Sequence, residues 1–361
     1  MVKLVDRYLG KASIQGVLLV WLALTVLFVL FSLLQEMRSV QNQYTASDVF
    51  WVILLTIPRM AYQIFPIAAL LGALLGVGGL AASNELVVFR TSGVSRLRLS
   101  AAALAGVMLL TVPAIIIGEW VAPPAEHQAR AFRLSEIVGR AIIGGPRGVW
   151  MRDGTDIVNI QLPLLSANRG EQSVAFNDIV IYSFSDQVDL KSITRAASAV
   201  HSGENWTLND VSEVSFAQNG ASVHKVAQRG WATEVKPELL DSAVTRPQHL
   251  SLRSLVGYLD YLKENGLDDT VYRAAFWERL VFPLTVIALV LAGMPFVFGA
   301  ARSHNAGVHL FFGMILGGVF MVIDRMSDNF GEAYAVPAVL SHVLPSLILA
   351  IAAIMALRRT V

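Results

Sequence analysis

The side chains able to carry chemistry are few in this 361-residue chain, and they gather at the edges of apolar segments. Cysteine is absent, which excludes disulfides, thiolate metal sites and cysteine nucleophiles. The phosphate-loop pattern G-x-x-x-x-G-K-[ST] does not occur: Gly10-Lys11 lacks the earlier glycine and the following hydroxyl residue. H-E-x-x-H and G-x-S-x-G are also absent, and the seven histidines are scattered without metal-ligand spacing. Asn205-Trp206-Thr207 fits a glycosylation sequon, but the strand pattern around it explains it more simply. What remains is one polar-edged stretch, 82–98, and a set of arginines at Arg38, Arg59, Arg130 and Arg133.

The stretch 82–98 lies between two long apolar segments and reads as a small helix at about 84–92. Ser83 and Asn84 are good caps, Glu85 sits in the first turn where the helix dipole favours an acid, and Gly93 is placed for a left-handed stop. Leu86, Phe89 and Arg90 share one side at helical spacing, and Arg96 and Arg98 follow. Two readings fit these residues: a helix lying on lipid, or a docking helix for a partner outside the membrane.

The flanking elements explain its setting. The chain is 55% hydrophobic and 15% charged, against about 25% charge in an ordinary soluble domain, so it is an integral membrane protein. The net charge of +1 says nothing about nucleic acid, and no basic cluster interleaved with aromatics appears, so no nucleic-acid partner is expected. After Lys3, Arg7 and Lys11, the run Ile14–Leu34 is long enough to span a bilayer at about 1.5 Å per residue. It is too long for a signal-peptide core and no A-x-A site follows, so it reads as an uncleaved helix. Ile64–Ala82, Leu99–Gly118, Tyr272–Phe298, Gly307–Ile323 and Val336–Leu357 supply five more spans. Val49–Ile57, before Pro58-Arg59, reads as an extension of the second span at its start, as a bent or interfacial piece.

Between the third and fourth spans the period changes. Ala122–Arg140 is polar and helical in pattern, Gly148 to Val235 is short, alternating and β-rich, and Ser251–Asn265 returns to helix before Gly266. The domains expected are 1–118, a membrane half; 119–270, with an all-β sandwich or jelly roll at about 140–240; and 271–361, the second membrane half. Orientation follows from basic residues. With the N-terminus in the cytoplasm, Lys3, Arg7, Lys11, Arg90, Arg96, Arg98, Arg302, Arg358 and Arg359 fall inside, and both termini are cytoplasmic. Gly72-x-x-x-Gly76 and Gly313-x-x-x-Gly317 are small-residue patterns that let helices approach closely.

Five segments together carry a resemblance: Asp6-Arg-Tyr8, Ala68-Ala-Leu-Leu-Gly-Ala-Leu-Leu-Gly76, Glu85-Leu-Val-Val, Gly118-Glu-Trp-Val-Ala-Pro123 and Gly148-Val-Trp-Met-Arg-Asp-Gly154. In this order, over the whole chain, they resemble the permease subunits of the lipopolysaccharide-export ABC transporter, the LptF/LptG family. Asp6-Arg-Tyr8 and Gly118-Glu-Trp-Val-Ala-Pro123 place the chain nearer the LptG branch than the LptF type. The resemblance implies an α-helical membrane protein of the bacterial inner membrane with six transmembrane helices, three plus three, and an inserted periplasmic jelly-roll domain. It implies a permease that extracts lipopolysaccharide from the outer leaflet of that membrane and needs no cofactor. Its implied partners are an LptF-type permease, a cytoplasmic LptB-type ATPase dimer, an LptC-type periplasmic jelly-roll protein and lipopolysaccharide. ATP hydrolysis then belongs to another chain.

The resemblance also assigns roles. Glu85, Leu86, Phe89, Arg90 and Gly93 would couple to the ATPase. Arg38, Arg59, Arg130 and Arg133 would meet the phosphates of lipid A, which suit arginine forks; the alternatives are snorkelling to headgroups, or pairing of Arg130 and Arg133 with Glu126 or Glu136. Phe28 and Phe31 on the first span, with Phe311 and Phe320 on the fifth, would offer an apolar wall to acyl chains. An ion-coupled transporter is the competing class, but it usually places acids or broken helices deep in the membrane, whereas the charges here lie at helix ends. A non-transporting scaffold would need neither coupling helix nor lipid-handling domain.

Overall fold

The computed structural model describes residues 4–39, 45–138, 149–153, 155–162, 175–184, 189–202, 205–217, 220–231, 233, 247–299, 306–334 and 336–359. Lys3, Arg140, Gly148, Gly154, Val235 and Arg302, named above, lie outside them, as do the side chains of Glu136 and Arg359. The described residues fall into two units: Met1–Arg38, Ile53–Glu126 and Thr270–Val361 form one, and Ser39–Val52 with His127–Asp269 the other.

Apolar runs of bilayer length make helices because nothing else satisfies their backbone groups without water. Among the described residues six helices are long and apolar enough to cross a membrane. The first three spans begin with α1 (Leu4–Glu36), α2 (Ala46–Ala82) and α4 (Arg96–Ile116), with the short α3 (Glu85–Thr91) between α2 and α4. Val49–Ile57 extends the second span as expected: it belongs to one continuous 37-residue helix that carries Pro58 and Pro66 inside it. A proline removes one backbone donor without ending a helix that tertiary packing holds on both sides.

Two prolines act differently at the end of α4. Pro123 and Pro124 strip the N–H groups that would normally return to the carbonyls of Glu119 and Trp120. The chain responds with a π-helical turn, Ile117–Val121, in which the Ala122 N–H reaches back to the Ile117 carbonyl. The Gly118 carbonyl is thereby released for a partner outside the helix. Helix α5 (Ala122–Val138) follows directly in sequence.

The glycine pattern of α2 works by close approach. A Cβ on Gly72 would lie 2.3 Å from Val17 Cα, and one on Gly76 would lie 2.3 Å from the Ala12 carbonyl oxygen. Gly16 and Gly106 are equally tight: a Cβ there would fall 2.2 Å from the Gly72 oxygen and 2.4 Å from the Gly10 oxygen. The first half of α1 therefore meets α2 and α4 backbone to backbone, where dispersion contacts are densest. The core of this unit continues through Phe65, Leu70, Leu74, Val286, Leu289 and Met294. Its remaining helices are α7 (Thr270–Gly299), α8 (Ala306–Ala333) and α9 (Ala338–Arg359).

In the second unit, the alternating segments form one six-stranded antiparallel sheet in simple meander order. The strands are β1 (Val149–Asp153), β2 (Asp156–Leu162), β3 (Ala175–Phe184), β4 (Leu190–Ser202), β5 (Asn205–Ala217) and β6 (Gly220–Trp231). The inserted all-β domain is therefore present, and its described strands each pair with their neighbours in sequence. Val158, Ile160, Ile179, Ile181, Leu208 and Trp206 fill its apolar face. The alternation slips by one residue along β5, from buried Val211 to buried Leu208, and Asp210 between them has φ 52°. The paired registers pass over Asp178, Ala197, Asp210 and Ala227, one row across four strands, and Asp178 also has a positive φ of 54°. Across this row the buried positions of β4 and β5 shift by one residue, from Ala196 and Val211 to Ala199 and Leu208, so one face stays apolar on both sides of it. The helix expected at 251–265 is α6 (Leu252–Glu264), capped by the Ser251 hydroxyl accepting from the Ser254 N–H.

Candidate functional site: a short helix and the arginines at helix ends

Helix α3 has only seven residues, too few to be stable alone. Its C-terminal stop is as the sequence predicts. Gly93 has φ 83°, its N–H reaches the Arg90 carbonyl and the Val94 N–H reaches that of Phe89, a Schellman closure. The N-terminal end differs from expectation. Asn84 adopts a left-handed conformation and its side chain caps nothing; the Ser83 hydroxyl lies 2.8 Å from Glu85 Oε1 instead. Glu85 is engaged a second time, because the Tyr8 hydroxyl donates to its Oε2 at 2.8 Å.

The two faces of α3 are now distinct. Leu86 is buried and Phe89 packs on the same core cluster, with the Tyr8 ring edge-on to Phe89 at 6.3 Å between centroids. These two apolar residues, grouped with Arg90 on sequence spacing, therefore seat the helix on its own chain. Val87, Val88 and Arg90 form the face left exposed. A solvent-facing valine pair on a polar turn is what an isolated reading of Leu86 and Phe89 overlooks.

The four arginines have different neighbours. Arg38 sits exposed in a 3₁₀ turn, Met37–Ser39, just past α1. Arg59 Nε donates to Glu126 Oε2 at 2.9 Å and its Nη1 to Gln63 at 3.1 Å. Glu126 thus takes an ion pair from Arg59 across 67 residues of sequence. Arg130 meets His249 Nδ1, and Arg133 is half-buried. Of the aromatic candidates, Phe28, Phe31 and Phe311 are exposed on their helices, as a wall facing lipid requires. Phe320 is 6% exposed and belongs to the core cluster, so it packs the helices together instead.

Sequence reasoning missed one site entirely. Arg279 of α7 donates to Glu119 Oε1 at 2.5 Å and to the released Gly118 carbonyl at 3.1 Å, and its guanidinium lies over the Tyr62 ring at 5.6 Å from the centroid. Tyr62 stacks in turn on Phe282 at 4.4 Å. The signal was available in Pro123-Pro124, which guarantee orphaned carbonyls upstream, but their partner 161 residues away was not. Among the described residues no group of three or more histidines, aspartates or glutamates could hold a metal ion.

The architecture, six spans interrupted after the third by an all-β insertion, has a match. The family model described as the lipopolysaccharide export system permease LptF/LptG aligns with residues 7–359. The chain belongs to the LptF/LptG permease family. It is 30% identical over 354 residues to the lipopolysaccharide export system permease protein LptG of Haemophilus influenzae, covering 96% of each chain. It is 31% identical over 345 residues to LptG of Escherichia coli K12, covering 94% of each. Both relatives carry the LptG name, in agreement with the branch suggested by Asp6-Arg-Tyr8 and Gly118-Glu-Trp-Val-Ala-Pro123.

Proposed function

We propose that the chain is the LptG-type permease of a lipopolysaccharide-exporting ABC transporter in a bacterial inner membrane. The observation that carries this reading is the end-to-end family match on a chain with six apolar spans and an inserted β domain. The sequence has no nucleotide-binding motif, so the energy comes from a separate cytoplasmic ATPase dimer of the LptB type. An LptF-type permease completes the membrane portion, and an LptC-type protein receives the lipid from the β domain. Both termini lie in the cytoplasm and the β domain in the periplasm, as the basic residues indicate. Membrane domains comprise roughly 1–118 and 271–361.

Within this reading α3 is the coupling helix. Its exposed face, Val87, Val88 and Arg90, enters the ATPase, while Glu85, Leu86, Phe89 and Gly93 hold its orientation. Rigid-body displacement of α3 is then the mechanical input to the membrane helices. Exposed Arg38 is the phosphate contact best placed among the four arginines, because Arg59 and Arg130 already have protein partners. Acyl chains run against Phe28, Phe31 and Phe311.

The test uses Val88→Asp with Arg90→Glu, which leaves every internal contact of α3 intact. In the complex co-expressed with its partners, this pair should abolish co-purification of the ATPase or cut stimulated hydrolysis at least about tenfold. Unchanged assembly and hydrolysis would refute the docking role of α3, and a wild-type chain that recovers no ATPase would refute the transporter reading itself.

A further inference from the structure

Contacts with the start of α1 flank α3 in sequence. Tyr8 donates to Glu85 at the beginning of α3 and packs on Phe89 in its last turns. Two residues earlier, Asp6 receives a two-pronged ion pair from Arg98, just past the loop that follows α3: Nη2 to Oδ2 at 2.9 Å and Nε to Oδ1 at 3.3 Å. The first turns of α1 thus grip the chain on both sides of a seven-residue helix that has no side-chain N-cap of its own. The grip continues along α1 through the glycine contacts Gly10–Gly106, Gly16–Gly72 and Ala12–Gly76, where the backbones touch. Beyond Val17 one side of α1 stays on α2, with Trp21 Nε1 donating to the Ala61 carbonyl at 2.8 Å and Ser32 reaching Met60, while Leu22, Phe28, Phe31 and Leu34 are exposed on its other sides.

We infer that Asp6 and Tyr8 are positioning residues that fasten α3 to α1, so that a displacement of the coupling helix moves the first membrane helix as a lever. The inference rests on the reading of α3 as the ATPase contact. A continuous helix transmits tilt with little loss, because its hydrogen bonds run along its own axis. At about 1.5 Å per residue, Phe31 lies about 35 Å along the helix from Tyr8, so a tilt of about 5° displaces its end by about 3 Å. That displacement is delivered at the far end of α1, to the apolar side chains of its exposed sides and to the α2 residues that Trp21 and Ser32 touch. Had α3 been held only by Leu86 and Phe89, apolar sliding could absorb the same motion; a directed hydrogen bond and a forked ion pair fix its register.

The test is Asp6→Asn with Tyr8→Phe in the full complex reconstituted in vesicles containing lipopolysaccharide. Phenylalanine keeps the ring against Phe89 and removes only the hydroxyl. Assembly by size, ATP hydrolysis, and lipid delivered per ATP hydrolysed are measured together. The lever predicts assembly and hydrolysis within about twofold of wild type and lipid per ATP reduced at least about fivefold. The charge exchange Asp6→Arg with Arg98→Asp, made with Tyr8 intact, should restore at least half the ratio lost by Asp6→Asn alone. An unchanged ratio, or hydrolysis and delivery falling in parallel, overturns the inference while leaving α3 as the docking helix. Failure of the wild-type chain to recover an ATPase overturns both.

Discussion

Replacing Arg279 by methionine tests how the two membrane halves are joined. Arg279 and Glu119 have side chains only 7% and 12% exposed, so neither charge has bulk water to fall back on. Arg279→Met keeps most of the apolar stem, removes the donor to Glu119 and Gly118, and takes its guanidinium counter-charge away from a carboxylate that is 12% exposed. Breaking a buried pair from one side costs about 3–5 kcal/mol. Neutralising both partners, Arg279→Met with Glu119→Gln, removes that carboxylate charge as well and leaves the Gly118 carbonyl as the main unsatisfied group, at about 1–3 kcal/mol. The double variant should therefore be more stable than Arg279→Met alone. The coupling energy from the four-species cycle should exceed about 1 kcal/mol, in the range measured for contacting groups. The assay is equilibrium unfolding in mixed micelles titrated with a denaturing detergent. A cost below about 1 kcal/mol for Arg279→Met, or additive effects in the cycle, would refute the argument that this pair and the π turn form one unit.

Gly72→Ala should destabilise by about 1–3 kcal/mol or more through the clash with Val17, whereas Gly79→Ala on the same helix meets nothing within 4 Å and should be neutral or stabilising in the same titration. Arg38→Glu should lower cross-linking to lipopolysaccharide about tenfold or more, since a charge-assisted contact is worth about 1.5–3 kcal/mol and about 1.4 kcal/mol is one decade; equal loss for a lipid lacking lipid A phosphates would remove Arg38 from the site. Arg59→Glu should instead reduce stability, because it sets a second carboxylate against Glu126, and it should be read by unfolding rather than by lipid binding. A cysteine at Val223, exposed on β6 of a cysteine-free chain, should react with an impermeant maleimide added from the periplasmic side, and reaction from the cytoplasmic side alone would invert the topology.

Composition and periodicity by themselves determined that this is a membrane protein with six spans and an inserted β domain, because both signals are local. A span needs only a long apolar run, and a strand needs only alternation and punctuation. The Gly93 stop was equally legible, since a left-handed Schellman closure is a property of a few consecutive residues. Family membership was legible because five short segments recur in order along the whole chain. What only the tertiary structure decided concerns side chains whose partners are remote in sequence. Leu86 and Phe89 share a helical face with Arg90, yet which side of that helix meets the core depends on where α1 and its Tyr8 arrive. Glu126 had plausible partners one turn away, yet it also accepts from Arg59, 67 residues off in sequence, because charges pair by distance in space and not along the chain. Phe320 and Phe311 stand nine residues apart on α8, and only the packing of neighbouring helices puts one in the core and leaves the other exposed. Pro123 and Pro124 announced that carbonyls would be orphaned; that Arg279 would answer the one at Gly118 required the fourth span to be folded beside the third.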